Sequence, residues 1–135
     1  MHSHETTLRV RYAETDRMGV VYHANYVIWM EVGRVELCRS LGLRYRDMEE
    51  DGVLLAVAEV SCRFLSPARY DDEVIVKARV AEVSSRMIRF EYEMRVAGED
   101  RILATGFTKH VFCNRELKRT RLPDKYCRLF GLQAS

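Results

Sequence analysis

The chain has 135 residues, of which 47% are hydrophobic and 31% are charged, and its formal net charge at pH 7 is +2. This length and composition predict a single globular domain over residues 1–135 and exclude a disordered or fibrous chain. Because acidic and basic residues are nearly balanced and interspersed, the sequence also argues against a protein that binds nucleic acid.

The first predicted element is a strand over residues 6–12. Leu8, Val10 and Tyr12 alternate there with polar residues, which is the period of a strand that is buried on one face. We therefore expect these three side chains to point into the core and the polar side chains between them to point outward.

One long helix is predicted over residues 24–41. This segment lacks strand punctuation, is too long for an ordinary strand, and ends at Gly42, a residue type that commonly terminates helices. On a helical wheel its apolar residues point in almost every direction, so we expect a helix that is buried on all sides. A second, short helix is predicted over residues 44–50, before the turn signal Asp51-Gly52.

Four further strands are predicted from apolar residues at alternate positions. They cover residues 55–65, 73–83, 86–96 and 102–113. The strand over 86–96 has the cleanest alternation, whereas the last strand is mixed on both faces, as expected of a central strand. Pro123-Asp124 is predicted to begin a short terminal helix that Gly131 closes.

The order of these elements predicts an α+β fold with one five-stranded antiparallel sheet. The turns between the last four strands are mostly short, and short turns join antiparallel neighbours. A sheet of five strands and one nearly all-apolar helix can both be buried if the sheet curls around the helix. One face of the sheet would still lack cover, which dimerisation would supply.

The segment that joins the first strand to the long helix is too apolar for a solvated loop. Gly19 can adopt backbone angles that other residues avoid. The helix start near Ala24 leaves N–H groups without intrahelical acceptors, which suits an anion or a developing oxyanion. Asp16 could act there as nucleophile or general base. From the residues alone, a capping or turn role for Asp16 and a structural role for His23 are the alternatives.

Two motifs in this chain carry a family resemblance. The run Asp16-x-x-Gly19-Val20-Val21-Tyr22-His23-x-Asn25-Tyr26, preceded by Thr15, resembles the signature of the 4-hydroxybenzoyl-CoA thioesterase-like branch of the hot-dog superfamily. The stretch Phe64-Leu65-Ser66-Pro67-Ala68-x-Tyr70-Asp71-Asp72 resembles the break between the second and third strands of that family. The resemblance covers about residues 7–123. It implies a hot-dog fold, in which the sheet curls around one long buried helix, and hydrolysis of acyl-CoA to free acid and CoA.

The resemblance also implies roles for individual residues. Asp16 matches the catalytic carboxylate, which attacks the thioester carbonyl or activates water, and the backbone N–H of His23 is expected to polarise the thioester oxygen. Tyr22 matches a third signature position and is included among the catalytic candidates without an assigned role. By the same resemblance we expect the site at a homodimer interface, dimers pairing into a homotetramer, and neither a cofactor nor a metal.

Substrate-binding residues are expected on both sides of Asp16 and along the helix. Matching signature positions and the apolar start of the helix together give Gly19, Val20, Asn25, Tyr26, Trp29 and Met30, although the aromatic residues and Met30 could equally be generic core. Basic side chains could meet the phosphates of coenzyme A at the mouth of the site, with a solvated surface as the alternative. The basic candidates are Arg86, Lys118, Arg119 and Arg121.

The remaining charged candidates have simpler interpretations. Another branch of the superfamily carries its catalytic carboxylate on the helix, but Glu31 lies three residues before Arg34, which predicts an ion pair. His2 and His4 have no third ligand at a suitable spacing, so no metal site is predicted. His110, in a mixed strand, is expected to be structural.

Two competing functions stay open at this point. One is a hot-dog hydratase or dehydratase, although its Asp and His motif is not matched here; the other is a non-catalytic domain that binds acyl-CoA or a protein. The four cysteines are widely spaced and form no C-x-x-C pair, which is typical of reduced thiols. No apolar signal core and no run long enough to span a bilayer is present, so we expect a cytoplasmic protein without a membrane span.

Overall fold

The computed structural model describes residues 2–132. Its elements follow the predicted order, with a short 3-10 helix between the first strand and the long helix. The elements are β1 Ser3–Arg9, the 3-10 helix Tyr12–Glu14, α1 Ala24–Ser40, α2 Tyr45–Glu50, β2 Leu54–Phe64, β3 Glu73–Val83, β4 Met87–Val96, β5 Ile102–Cys113 and α3 Asp124–Leu129. The predictions for β3 and β5 are confirmed at both ends, and only β1 differs from its prediction by more than one residue.

The strands form one antiparallel sheet in the order β1-β3-β4-β5-β2. β1 and β2 are therefore the two edge strands, and β2 follows the helices in the chain but lies farthest from β1 in space. α1 packs against one face of this sheet and contacts β1, β2, β3 and β4. The predicted α+β architecture, five antiparallel strands around one long helix, is confirmed.

The first strand lies three residues earlier than predicted. Ser3 pairs with Arg79 and Arg9 with Glu73, so polar residues at the start of the chain belong to the edge of the sheet. An edge strand is held by its backbone pairing, which polar side chains do not prevent. After Arg9 the chain leaves the ladder, and Tyr12 begins the 3-10 helix with 76% of its surface exposed, so the expectation that Tyr12 points into the core is wrong.

α1 and the sheet approach each other closely at Gly106 of β5. A Cβ atom at that position would lie 2.2 Å from the carbonyl oxygen of Ser61 and 2.5 Å from Cε of Met30. Any larger residue would have to displace both the neighbouring strand and the helix. Gly106 therefore allows Met30, which is fully buried, to pack directly on the sheet.

Part of α1 is not covered within the single chain. Val27, Ile28 and Val32 are 36%, 51% and 37% exposed, although the opposite side of the helix is buried. Val57 and Val60 of the edge strand β2 are also exposed. The prediction of a helix buried on all sides is therefore wrong for one chain. We call these five residues the open apolar face.

Glu31 and Arg34 do not form the predicted ion pair within residues 2–132. The salt bridge on α1 instead joins Glu36 and Arg39, with 3.4 Å between Oε1 and Nε. Arg34 is close enough to the core for its charge to act on the imidazole of His110. A spacing of three residues permits an ion pair on a helix surface, but it does not oblige the two side chains to meet.

A small polar cluster lies in the core around His110, which is fully buried. Nε2 of His110 lies 2.9 Å from the hydroxyl of Thr108, and that hydroxyl is also hydrogen-bonded to Tyr92. Burial, together with the positive charge of Arg34, lowers the pKa of His110 from 6.5 to about 4. The imidazole is therefore neutral in the folded protein at pH 7.

The stability of the fold should consequently fall as the pH drops through the range from 6.5 to about 4. The unfolded chain takes up a proton on His110 in this range and the folded chain does not, which favours unfolding by up to about 3 kcal/mol. Urea unfolding at a series of pH values measures this slope. His110→Gln removes the titrating group and should flatten it; an equally steep slope in that variant would contradict the prediction.

Candidate active site

Residues 15–21 form a tight hairpin-like loop after the 3-10 helix. A backbone bridge between Thr15 and Val21 closes its base, and the N–H of Asp16 donates to the carbonyl of Val20 at 2.8 Å. Gly19 turns the chain with φ +79° and donates its N–H to the carbonyl of Asp16 at 3.0 Å. The predicted use of glycine at this position is therefore observed.

The carboxylate of Asp16 is held in this loop by backbone donors. Its Oδ1 accepts hydrogen bonds from the N–H of Met18 at 2.8 Å and of Val20 at 3.4 Å. Oδ2 accepts no hydrogen bond from the described residues, and Asp16 lines a cavity next to the loop. One oxygen therefore fixes the orientation of the side chain, and the other is not engaged by the described residues.

α1 begins directly after this loop, with His23 as its N-cap residue. The His23 side chain does not cap the helix; its ring lies 4.4 Å from the ring of Tyr22 and 6.1 Å from that of Phe64. Its backbone N–H donates to no backbone acceptor within residues 2–132. The helix start therefore offers an unused donor together with the positive end of the helix dipole.

The cavity has a volume of about 360 Å³ and is open to one side. Its walls combine the loop, the start of α1 and the segment after β2. The lining residues are Asp16, Met18, Val20, Val21, His23, Tyr26, Phe64, Leu65, Ser66 and Pro67. In such a cavity the N–H groups of the helix start can polarise a carbonyl group, the carboxylate can act as a base or nucleophile, and the apolar walls can hold an apolar chain.

The second sequence motif contributes to the site through Ala68. Its N–H donates to the hydroxyl oxygen of Tyr26 at 3.1 Å, and its carbonyl accepts from the N–H of Val21 at 2.9 Å. Ala68 is fully buried, so these bonds tie the break between β2 and β3 to the loop over residues 15–21. Phe64, Leu65 and the loop are thereby held around one cavity.

Several predicted site residues lie outside this cavity in the single chain. Tyr22 is half exposed, and its N–H donates to the backbone oxygen of Glu14 at 2.8 Å. Nδ2 of Asn25 donates to the same oxygen at 3.0 Å. Trp29 and Met30, expected along an acyl pocket, are 2% and 0% exposed and lie in the core. Gly19, which shapes the turn, does not line the cavity either. All five residues therefore belong to the structure around the cavity and not to its walls.

Glu14 is a buried acid that the sequence reasoning missed. It is only 5% exposed and lies two residues before Asp16. Burial by itself raises the pKa of its carboxyl, but hydrogen bonds from Arg11 and Trp29 and the charge of Arg11 outweigh it and hold the pKa below its usual range. The only sequence signal for a buried acid here is an acidic residue inside an apolar segment, and this signal is weak.

Arg86 lies in a second concavity, away from Asp16. This groove, of about 440 Å³, is lined by three basic residues, Arg86, Lys109 and Arg119, together with Met87, Val111 and Thr120. On β5, Lys109 pairs with Glu59, whereas Ala104 pairs with Phe64 of the cavity. Five residues of strand separate the two positions, about 17 Å. Lys118 and Arg121, the other basic candidates, do not line the groove.

Comparison with known proteins places the chain in a family. The model of the thioesterase-like superfamily matches residues 10–130. The chain belongs to this superfamily. A protein of Bacillus subtilis named "Putative acyl-CoA thioesterase YneP" is 39% identical over 117 residues, which are 86% of this chain and 83% of that protein. A protein of Escherichia coli O157:H7 named "Acyl-CoA thioester hydrolase YbgC" is 29% identical over 111 residues, which are 82% of this chain and 81% of that protein. The prediction of a thioester hydrolase is confirmed.

Solved structures of the superfamily confirm the hot-dog fold. A hypothetical protein from Thermus thermophilus is 38% identical with a TM-score of 0.89, covering 98% of this chain and 99% of that one. The DHNA-CoA thioesterase from Staphylococcus aureus is 32% identical, also with a TM-score of 0.89, covering 97% of this chain and 87% of that one.

Two further observations concern residues 2–132. None of their helices combines the length and the apolar character that crossing a bilayer requires. Among the same residues, no group of three or more His, Cys, Asp or Glu side chains is arranged to hold a metal ion.

Proposed function

We propose that Asp16 and the start of α1 carry out the acyl-CoA thioesterase reaction of this protein, with the acyl group in the adjoining cavity. The observation that carries the proposal is that Asp16 and His23 line one cavity with mostly apolar walls. The carboxylate is anchored through Oδ1 alone, and the N–H of His23 is not used by the backbone. These are the two polar groups that hydrolysis of a thioester requires.

Two routes are compatible with this arrangement. In one, Asp16 takes a proton from a water molecule, the water oxygen attacks the thioester carbon, and the C–S bond breaks to release the CoA thiol and the acid. In the other, Oδ2 of Asp16 attacks the carbon and expels the thiolate, and water then hydrolyses the mixed anhydride. In both, the N–H of His23 stabilises the negative charge on the carbonyl oxygen. Neither route uses a cofactor or a metal.

The reaction is tested by incubating the purified protein with a panel of short, medium and aromatic acyl-CoAs and following the release of free thiol. We expect hydrolysis of at least one small or medium acyl-CoA. Tight complexes without thiol release would favour the binding function instead. Addition of water to an enoyl-CoA without thiol release would favour a hydratase. Either result would overturn the proposal.

A second copy of the chain is proposed to complete the site. The open apolar face includes one side of α1 and the edge strand β2, whose outer edge is unpaired within residues 2–132. Pairing two β2 edges about a two-fold axis would cover this face in both copies. Light scattering should give a dimer, or a tetramer of two such dimers, built from 15.8 kDa chains. A monomer at assay concentrations would contradict this.

The antiparallel pairing has a consequence for the cavity. In each copy the Asp16 cavity lies at the Phe64 end of β2. A cavity of about 390 Å³ between α1 and α2 lies at the Leu54 end, and the Arg86 groove lies toward the same end. Because paired β2 strands run in opposite directions, each Asp16 would approach the Leu54 end of the other copy. The other copy would then supply the walls that one chain lacks.

The Arg86 groove is proposed to bind the phosphates of coenzyme A across this interface. Each exposed arginine–phosphate contact contributes about 0.7 kcal/mol, so Arg86→Gln combined with Arg119→Gln should raise KM for acyl-CoA about tenfold with little change in kcat. The same acyl group on pantetheine, which lacks the nucleotide phosphates, should be unaffected. Lys118→Gln, outside the groove, is the matched control. An equal rise of KM for both substrates would rule the groove out.

A cytoplasmic location is proposed from the state of the thiols. All four cysteines, Cys38, Cys62, Cys113 and Cys127, are free. Burial raises the pKa of Cys38 to about 12, which makes this thiol unreactive. Free thiols in the core are typical of proteins that work in a reducing compartment.

A further inference from the structure

We infer that Glu14 is a positioning residue that sets the placement of Asp16 relative to the start of α1. Glu14 lies just before the loop over residues 15–21, and its carboxylate and its backbone carbonyl both accept hydrogen bonds from residues that follow the loop. The effect of Glu14 on catalysis rests on the proposed function of Asp16 and His23. The contacts themselves do not depend on that function.

The carboxylate of Glu14 is fully used. Oε1 accepts the backbone N–H of Arg11 at 2.8 Å, and Oε2 accepts the indole N–H of Trp29 at 2.9 Å. The guanidinium of Arg11 lies 3.6 Å from Oε2. Glu14 and Trp29 are 5% and 2% exposed, so water cannot replace these donors without opening the core. The side chain thus links the 3-10 helix to the second turn of α1.

The backbone carbonyl of Glu14 makes the second link. It accepts the N–H of Tyr22 and the side-chain amide of Asn25, at 2.8 and 3.0 Å. Tyr22 immediately precedes His23, and Asn25 lies in the first turn of α1. Asp16 lies two residues after Glu14, at the opposite end of the loop from Tyr22. One residue therefore holds the segment that carries the carboxylate and the segment that carries the oxyanion donor.

This arrangement affects the rate because both groups must meet one thioester carbon. A misplacement of about 1 Å can cost about 100-fold in rate even when the altered residue does not touch substrate. Glu14→Gln puts an amide N–H₂ against one of two N–H donors, so at least one of the two bonds is lost. We expect kcat to fall by about 10- to 100-fold and KM to change less than about threefold, because the substrate walls are untouched.

Trp29→Phe provides a second variant that does not alter Glu14. It removes the indole donor but keeps an aromatic ring in the core, and it should lower kcat less than Glu14→Gln does. Leu37→Ala is the control for stability alone, since Leu37 is fully buried in α1 and lies twelve residues along the helix from Asn25, about 18 Å. All variants are assayed at a temperature at which they are folded. There Leu37→Ala should keep the native kcat, even when its melting temperature falls as much as that of Glu14→Gln.

Two readouts need no substrate. Trp29 is the only tryptophan in the chain, so its fluorescence reports directly on the Glu14 contact. Hydrogen exchange of the Tyr22 amide, measured by NMR, reports on the carbonyl contact. In Glu14→Gln we expect a shifted emission and a faster Tyr22 exchange, whereas Leu37→Ala should leave the emission near its native value.

The outcomes separate this inference from the proposed function. Native kcat in both Glu14→Gln and Trp29→Phe, or an equal loss in Leu37→Ala, would overturn the positioning role. So would unchanged Trp29 emission and Tyr22 exchange in Glu14→Gln. If the native protein hydrolyses no thioester, the proposed function fails, and the two spectroscopic readouts still decide whether Glu14 holds the loop. If Glu14→Gln does not fold, Trp29→Phe decides.

Discussion

Replacing Asp16 by asparagine should lower kcat for acyl-CoA hydrolysis by about 10²- to 10⁴-fold, the usual contribution of a general base. The fold should survive, because the amide oxygen of asparagine can still accept the N–H groups of Met18 and Val20 that now bond to Oδ1. The N–H₂ group would then take the place of Oδ2, where it can neither accept a proton from water nor attack a carbonyl. Thiol release and the melting temperature measure the two effects.

Asp72→Asn is the matched control for this substitution. Asp72 also uses one carboxylate oxygen to accept a loop N–H, that of Arg69 at 2.9 Å, but it does not line the cavity. Asp72→Asn should leave kcat within about twofold of the native value, as expected for a substitution outside the cavity. If thiol release survives intact in Asp16→Asn, the proposed role of this carboxylate is wrong. If both variants lose activity equally, loop geometry and not the cavity carboxylate is responsible.

The loop that carries Asp16 could be predicted from sequence because its determinants are local. Gly19 is needed for a positive φ, and the helix start at His23 follows from the end of the loop. The same holds for β4, where buried residues alternate with partly exposed ones as predicted. Assigning Asp16 to catalysis required the family resemblance, since a carboxylate that accepts N–H groups in its own loop is common in turns.

Features that depend on distant partners could not be predicted from sequence. Residues Ser3 to Glu5 join β1 because Arg79 and its neighbours on β3 offer free backbone groups, and nothing in their own polarity indicates this. Glu14 acquires its importance from Trp29, fifteen residues away. The apolar outer side of α1 was predicted to be covered, but the covering surface is not within the described chain. Periodicity indicates that a face is apolar, not what lies against it.

Val60→Lys should convert the protein to a monomer and abolish most of its activity. Val60 pairs with Thr108, so its side chain lies on the helix side of the sheet, at the unpaired edge and 42% exposed. The single chain should tolerate lysine there, whereas a symmetric dimer would bury the charge twice. Burying an unpaired charge costs several kcal/mol, so the dissociation constant of the dimer should rise by at least about a thousandfold.

The loss of activity in Val60→Lys should follow the loss of the dimer. Val60 does not line the Asp16 cavity of its own chain, so a direct effect on the chemistry is not expected. Thr7→Lys is the matched control: Thr7 is exposed and β-branched, and it lies on β1, at the opposite edge of the sheet from β2. Light scattering and thiol release on the same samples give both quantities. A monomer with native kcat/KM would mean that each chain holds a complete site, and a native dimer would mean that copies meet through another surface.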